Sequence, residues 1–276
     1  MIRRLGVAAL LLVATAVHAA DAPKRIASLN LCTDQLLLAV ADPEQIIGLS
    51  PYARDSGMSW AAAEAARHPA LSGGAEDVMM LRPDLVVAGR FERRATRELL
   101  ARRGLAVADF DIARSIDEAK AQLARMGALV GHPERASAHI AAIDAALLRA
   151  RNAGSRSGLR VLAVSRRGWV PGIDSLMSAL LAAAGLSNAA GELGIATGGF
   201  ASLEAIVAAR PDLVLVASAA ESAEDQGQAF LLHPALTRLY PPQRRIVIPE
   251  ALTICGGPMV AAALDRLAAA LEGIGP

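Results

Sequence analysis

Aromatic side chains are scarce in this chain: two Trp, two Tyr and four Phe among 276 residues. Cysteine is scarcer still, with Cys32 and Cys255 alone, so at most one disulfide can form. No glycine-rich phosphate loop precedes Lys-Ser/Thr, and there is no Gly-x-Ser-x-Gly elbow and no His-Glu-x-x-His helix. These absences remove the usual signatures of nucleotide hydrolysis, serine ester chemistry and zinc proteolysis. Histidine outside the first 19 residues is limited to His68, His132, His139 and His233. Three of them precede Pro and read as turns, and His139 reads as a surface position on a helix, so no converging set for a bare metal ion is expected. Net charge is lacking too. Removing Arg3 and Arg4 from the 28 basic residues leaves 26 against 27 acidic ones, which gives nucleic acid no basic surface.

The sequence opens with Arg3 and Arg4, an apolar run from Leu5 to Val17, and Val17-His-Ala19 ahead of Ala20. That pattern reads as a secretory signal peptide over residues 1–19, cleaved near Ala19, which places the mature protein in the periplasm. The run is short for a membrane span, and no other segment reaches about 18 uninterrupted apolar residues. Export also places the cysteines where a disulfide persists. Two readings stay open: a Cys32–Cys255 bond, or two separately buried small apolar side chains.

One segment occurs twice. Glu76-Asp-Val-Met-Met-Leu-Arg-Pro-Asp-Leu-Val-Val-Ala88 returns as Glu204-Ala-Ile-Val-Ala-Ala-Arg-Pro-Asp-Leu-Val-Leu-Val216. Pro83 and Pro211 cannot continue the preceding helix, and the continuous apolar run after each is that of a parallel strand covered on both faces. Around this repeat, Arg25 to Asn30, Gln45 to Ser50 and Leu105 to Phe110 read as strands, and Thr33 to Ala41, capped by Thr33 or Asp34, reads as a helix. Arg160 to Ser165, Asp174 to Ala184 and Gly185 to Asn188 echo the opening of the first half. Between the halves, Ser115 with Glu118 forms a capping-box pattern, and the helix from Glu134 to about Arg151 carries Ala136, Ile140, Ile143 and Leu147 on one stripe. The expected fold is α/β: two Rossmann-like lobes with parallel sheets, spanning 20–132 and 153–276, joined by one long helix over 133–152.

Ligands of parallel α/β sheets bind beyond the carboxyl ends of the strands. Tyr52, Trp60, Phe91 and Trp169 fall in such loops, Phe200 lies just before the second repeat, and Arg54, Arg90, Arg166 and Arg167 stand beside them. Rings and guanidinium groups there suit a large, flat or partly anionic ligand, although single rings also serve to plug loop bases. Glu76 and Glu204 each open the helix of their repeat, where a carboxylate offsets the helix dipole. Their internal symmetry also permits a second role, presentation to a two-fold symmetric partner. Asp55, Glu221 and Asp225 lie near strand ends, yet no base, nucleophile and orienting partner are recognisable together.

The export signal, Arg-Ile-Ala-Ser-Leu-Asn from Arg25, the two Glu-x6-Pro-Asp-Leu repeats, Gly-x-Pro-Glu-Arg-Ala from Gly131 and Leu-Leu-His-Pro-Ala-Leu from Leu231 together resemble the periplasmic solute-binding proteins of metal-chelate ABC importers. The resemblance spans nearly the whole mature chain. It implies a monomer that holds a metal chelate (a ferric siderophore or cobalamin, with haem as a further family ligand) between its lobes, with no catalytic residue, metal site or resident cofactor of its own. It also implies delivery to an inner-membrane permease dimer with its ATPase, through Glu76 and Glu204. Haem would call for an axial Tyr or His, for which Tyr52 stands at a suitable strand end. Asn30-Leu-Cys-Thr33 departs from the Pro-containing version associated with cobalamin binders. Two other readings remain beside the carrier: an exported enzyme acting in the same cleft, and a ligand-sensing subunit of a membrane receptor.

Overall fold

The computed structural model describes residues 22–91, 94–154, 158–219, 222–223 and 225–273. The expected export segment and Glu221 lie outside them. The apolar runs of the repeat become interior strands of two parallel sheets. The first sheet contains β1 (Ile26–Ser28), β2 (Ile46–Gly48), β3 (Leu85–Gly89) and β4 (Val107–Phe110) in the order β2-β1-β3-β4. The second half supplies β5 (Arg160–Ala163), β6 (Trp169–Pro171), β7 (Ser187–Asn188), β8 (Gly198–Phe200), β9 (Leu213–Val216) and β10 (Arg245–Val247). Its main sheet runs β7-β5-β9-β10, the same winding as the first, and β6 with β8 forms a separate antiparallel pair.

Continuous apolar strands follow from burial on two sides. Val161, Ala163, Leu213 and Leu215 face a central core, while Leu162, Val164, Val214 and Val216 face a second one on the opposite side of the sheet. In the first sheet Ile26, Leu85 and Val87 join the same central core, and Ala27, Val86 and Ala88 face the other way. Each fully buried aliphatic side chain contributes roughly 1.5–3 kcal/mol.

The first-lobe helices are α1 (Leu31–Val40), α2 (Ala62–Ala65), α3 (Ala75–Leu81), α4 (Arg94–Arg102) and α5 (Ile116–Val130). Then α6 (Pro133–Ala153) leads to α7 (Leu176–Ala183), α8 (Leu203–Ala209), α9 (Gln226–Ala229), α10 (Pro234–Leu239) and α11 (Met259–Gly273). At 21 residues, α6 is about 31 Å long. It packs on α1 and α5 of the first lobe and on α7 and α11 of the second, which makes the central core continuous across both. Ala136 and Ile143 of its stripe are buried, as are Ala146 and Ala150, while Ile140 and Leu147 are partly covered.

Two local readings are corrected. The cap of α1 is Asn30, whose side-chain oxygen accepts from the N–H groups of Cys32 at 2.9 Å and Thr33 at 3.2 Å. Thr33 and Asp34 are inside the first turn and buried, because Asp34 accepts from the Ser50 N–H and hydroxyl. His139 is half-buried rather than a free surface residue: its Nε2 lies 3.3 Å from the carbonyl oxygen of Ala39. The expected capping box is half made, since Ser115 accepts from the Glu118 N–H at 3.1 Å whereas Glu118 accepts from Arg114 N–H.

Candidate functional site

The winding puts the carboxyl ends of β5, β9 and β10 opposite the segment that follows β4. There a cavity of about 370 Å³ opens between the lobes, within the ~300–1,000 Å³ range of small-molecule sites. Most of its wall belongs to the second lobe, and Ile112, Ala113 and Arg114 close it from the first. A chamber of about 410 Å³ adjoins it, sharing Ile112 and Arg114 and reaching Phe91 and Arg125.

Trp169 is the ring of the main cavity. It begins β6, is 41% exposed, and meets the Phe200 ring edge-to-face with centroids 5.1 Å apart, because β6 and β8 pair Trp169 with Phe200. The pair forms an apolar shelf. Phe91 lines the adjoining chamber. Tyr52, Arg54 and Trp60 border neither space; Trp60 donates its backbone N–H to Gln35 at 2.8 Å, and Arg54 donates to the His68 carbonyl. Arg90 is ion-paired with Asp111 at 2.9 Å, and Arg166 with Asp225, whose carboxyl is held below its usual range by the Gln228 N–H and then by Arg166.

Polar groups of the cavity that the strand-end argument missed come from two turns it left out. After β4, Arg114 reaches across the lobes to Asp174 at 2.9 Å, with the two side chains 51% and 50% exposed. After β10 come Glu250, Thr253 and Ile254. The same rule of strand carboxyl ends would have included both turns. Ser165, Ser175 (the N-cap of α7) and Thr197 add hydroxyls to the lining.

Cys32 and Cys255 are bonded, with Cα atoms 5.2 Å apart. The bond ties the first turn of α1 to the segment carrying Ile254, so one wall of the cavity is fastened to the opposite lobe. Gly256 lies against the first lobe as well: a Cβ there would stand 2.5 Å from the Ala113 Cβ. Among the described residues no group of three or more His, Cys, Asp or Glu could hold a metal ion.

Residues 26–241 match the family described as periplasmic binding protein. The chain belongs to that family. A cobalamin-binding protein of Halobacterium salinarum is 27% identical over 235 residues, covering 81% of this chain and 62% of the relative, so the chain spans less than two thirds of that protein. The apo form of the periplasmic haem-binding protein RhuT from Roseiflexus sp. RS-1 is similar with a TM-score of 0.73 and 26% identity over 90% of this chain and 98% of that one. A periplasmic haem-binding protein from Pseudomonas aeruginosa shares the fold, with a TM-score of 0.74 and 22% identity over 91% and 93% of the two chains.

Glu76 and Glu204 are exposed in the first turns of α3 and α8. The Glu204 carboxyl is held below its usual range by its own backbone N–H and then by the Ser202 hydroxyl. At the other end of these helices, Arg82 and Arg210 both adopt left-handed backbone, with φ of 48° and 43°.

Proposed function

We propose that this periplasmic binding protein captures a metal chelate between its lobes and hands it to an ABC importer, performing no chemistry itself. The observation that carries this reading is the interlobe cavity with Trp169 in its wall, braced edge-to-face by Phe200 from outside the lining. Its polar lining consists of hydroxyls, carboxylates and one arginine, and Tyr52 is not part of it. Such a lining grips a ligand by its rim and faces, so it suits a chelate whose metal is already saturated by the chelate itself, cobalamin or a ferric siderophore. Titration of purified protein with cyanocobalamin, ferrioxamine B and haemin, read by tryptophan fluorescence and ligand absorbance, tests this. Binding of one of the first two is expected; haemin binding alone, with an absorbance shift reporting ligation of its iron by the protein, would overturn it.

Glu76 and Glu204 are proposed as the two contacts with the permease dimer. Their exposure and matching place in the two repeats support this. Glu76→Ala with Glu204→Ala should abolish uptake by cells while leaving chelate affinity unchanged; wild-type uptake by the double variant would refute the docking role.

A further inference from the structure

Three charged side chains line the main cavity. Arg114 and Asp174 answer each other across it. Glu250 has no ion pair or side-chain hydrogen bond among the described residues, and it is half-buried. Its backbone is fixed: the Glu250 carbonyl accepts from the N–H groups of Thr253 at 2.9 Å and Ile254 at 3.0 Å, and Cys255 follows in the interlobe disulfide. The carboxylate is therefore presented by a rigid wall rather than a free loop.

A ligand filling the cavity strips water from this carboxylate and must replace it with hydrogen-bond donors or positive charge. A ligand that brings its own carboxylate to the same wall meets like charge where solvent screening is weakest. Resting on the carrier reading above, we infer that Glu250 is a charge filter of the cleft. It accepts hydrogen bonds from amide or cationic groups on the rim of the chelate and turns away chelates that present carboxylates there. The Arg114–Asp174 pair leaves this bias standing, because its charges cancel.

The test compares wild type, Glu250→Gln and Glu250→Asp with cyanocobalamin and ferrioxamine B, which offer amide or ammonium N–H, and with haemin and ferric citrate, which bring carboxylates. Glu250→Gln should shift the affinity ratio toward the carboxylate-bearing chelates by on the order of tenfold, and Glu250→Asp should keep the wild-type preference. Thermal melts establish that each variant is folded. A ratio changed by less than about twofold in Glu250→Gln would overturn the filter while leaving the carrier reading intact. Absence of binding of all four probes to wild type would instead sink the carrier reading, and the filter with it.

Discussion

Two tryptophans, one inside the cavity and one outside it, make the site directly readable. Because Trp169 lines the cavity and Trp60 does not, Trp169→Phe should remove most of the fluorescence change on chelate binding, and Trp60→Phe should keep it. Equal loss in both variants would move the ligand away from the β6–β8 shelf. At this scale the sequence was a partial guide. Scarce rings in loops pointed to Trp169 and Phe91, which line the cavity and its adjoining chamber, and to Phe200, which lines neither and packs against Trp169. The same criterion also selected Tyr52 and Trp60, which remain half-exposed beyond the cavity. Arg114, Asp174 and Glu250 carry no such compositional mark, because charged residues are common in every loop; the strand-end rule reaches the turns of Arg114 and Glu250, but the meeting of two lobes is what sets these side chains apart from their charged neighbours.

The elements were more legible, because period and punctuation determine them locally. The Arg-Pro-Asp of the repeat is explained by its partners. In the second copy Asp212 accepts from the Arg160 N–H at 2.8 Å, and the Arg160 guanidinium donates to the carbonyls of Ala209 and Arg210, closing α8. In the first copy Asp84 accepts from the Lys24 N–H at 3.0 Å, and Arg25 donates to the corresponding carbonyls of Leu81 and Arg82. Arg160 additionally pairs with Glu192 at 3.0 Å and is only 36% exposed. Arg160→Ala should therefore lower unfolding free energy by more than Arg25→Ala does, as urea denaturation can measure; the reverse order would contradict the clamp. The β6–β8 pair escaped the sequence reading because its strands have three residues each, include Gly198 and Gly199, and stand outside the duplication. A second clamp joins α6 to the end of α1: Asp42 accepts from Arg135 at 2.6 Å, and His132 Nε2 lies 2.9 Å from Asp42. Arg135 holds the Asp42 carboxyl below its ordinary value of 3.8. A carboxyl depressed in the folded state stabilises it above the unfolded value, and that stabilisation is lost as pH falls through the folded one. Asp42→Asn should thus flatten the acid limb of the stability profile below about pH 4; an unchanged limb in acid titration would remove this clamp from the account.

Across the whole molecule, the duplication announced two lobes, but the sequence left open how firmly they are joined. Three connections bring them together: the continuous core along α6, the Arg114–Asp174 pair, and the disulfide between residues separated by 223 positions. The ion pair is half-exposed and contributes at most ~1 kcal/mol. The disulfide joins residues 223 positions apart and so closes most of the chain into a loop, so Cys32→Ser with Cys255→Ser should cost about 2–5 kcal/mol of stability. Its position adds a functional consequence. Glu250, Thr253 and Ile254 are ordered just ahead of Cys255, and without the bond this wall must be ordered at the moment of binding, at roughly 0.5–1.5 kcal/mol for each side chain newly immobilised. The double variant should therefore bind its chelate several-fold more weakly, and reduction of the wild type should reproduce that loss. Calorimetric titration of oxidised, reduced and double-variant protein at a temperature where all three are folded separates the two effects: lower stability with unchanged affinity would confine the bond to the fold, whereas a matched loss of affinity would make it part of the binding wall.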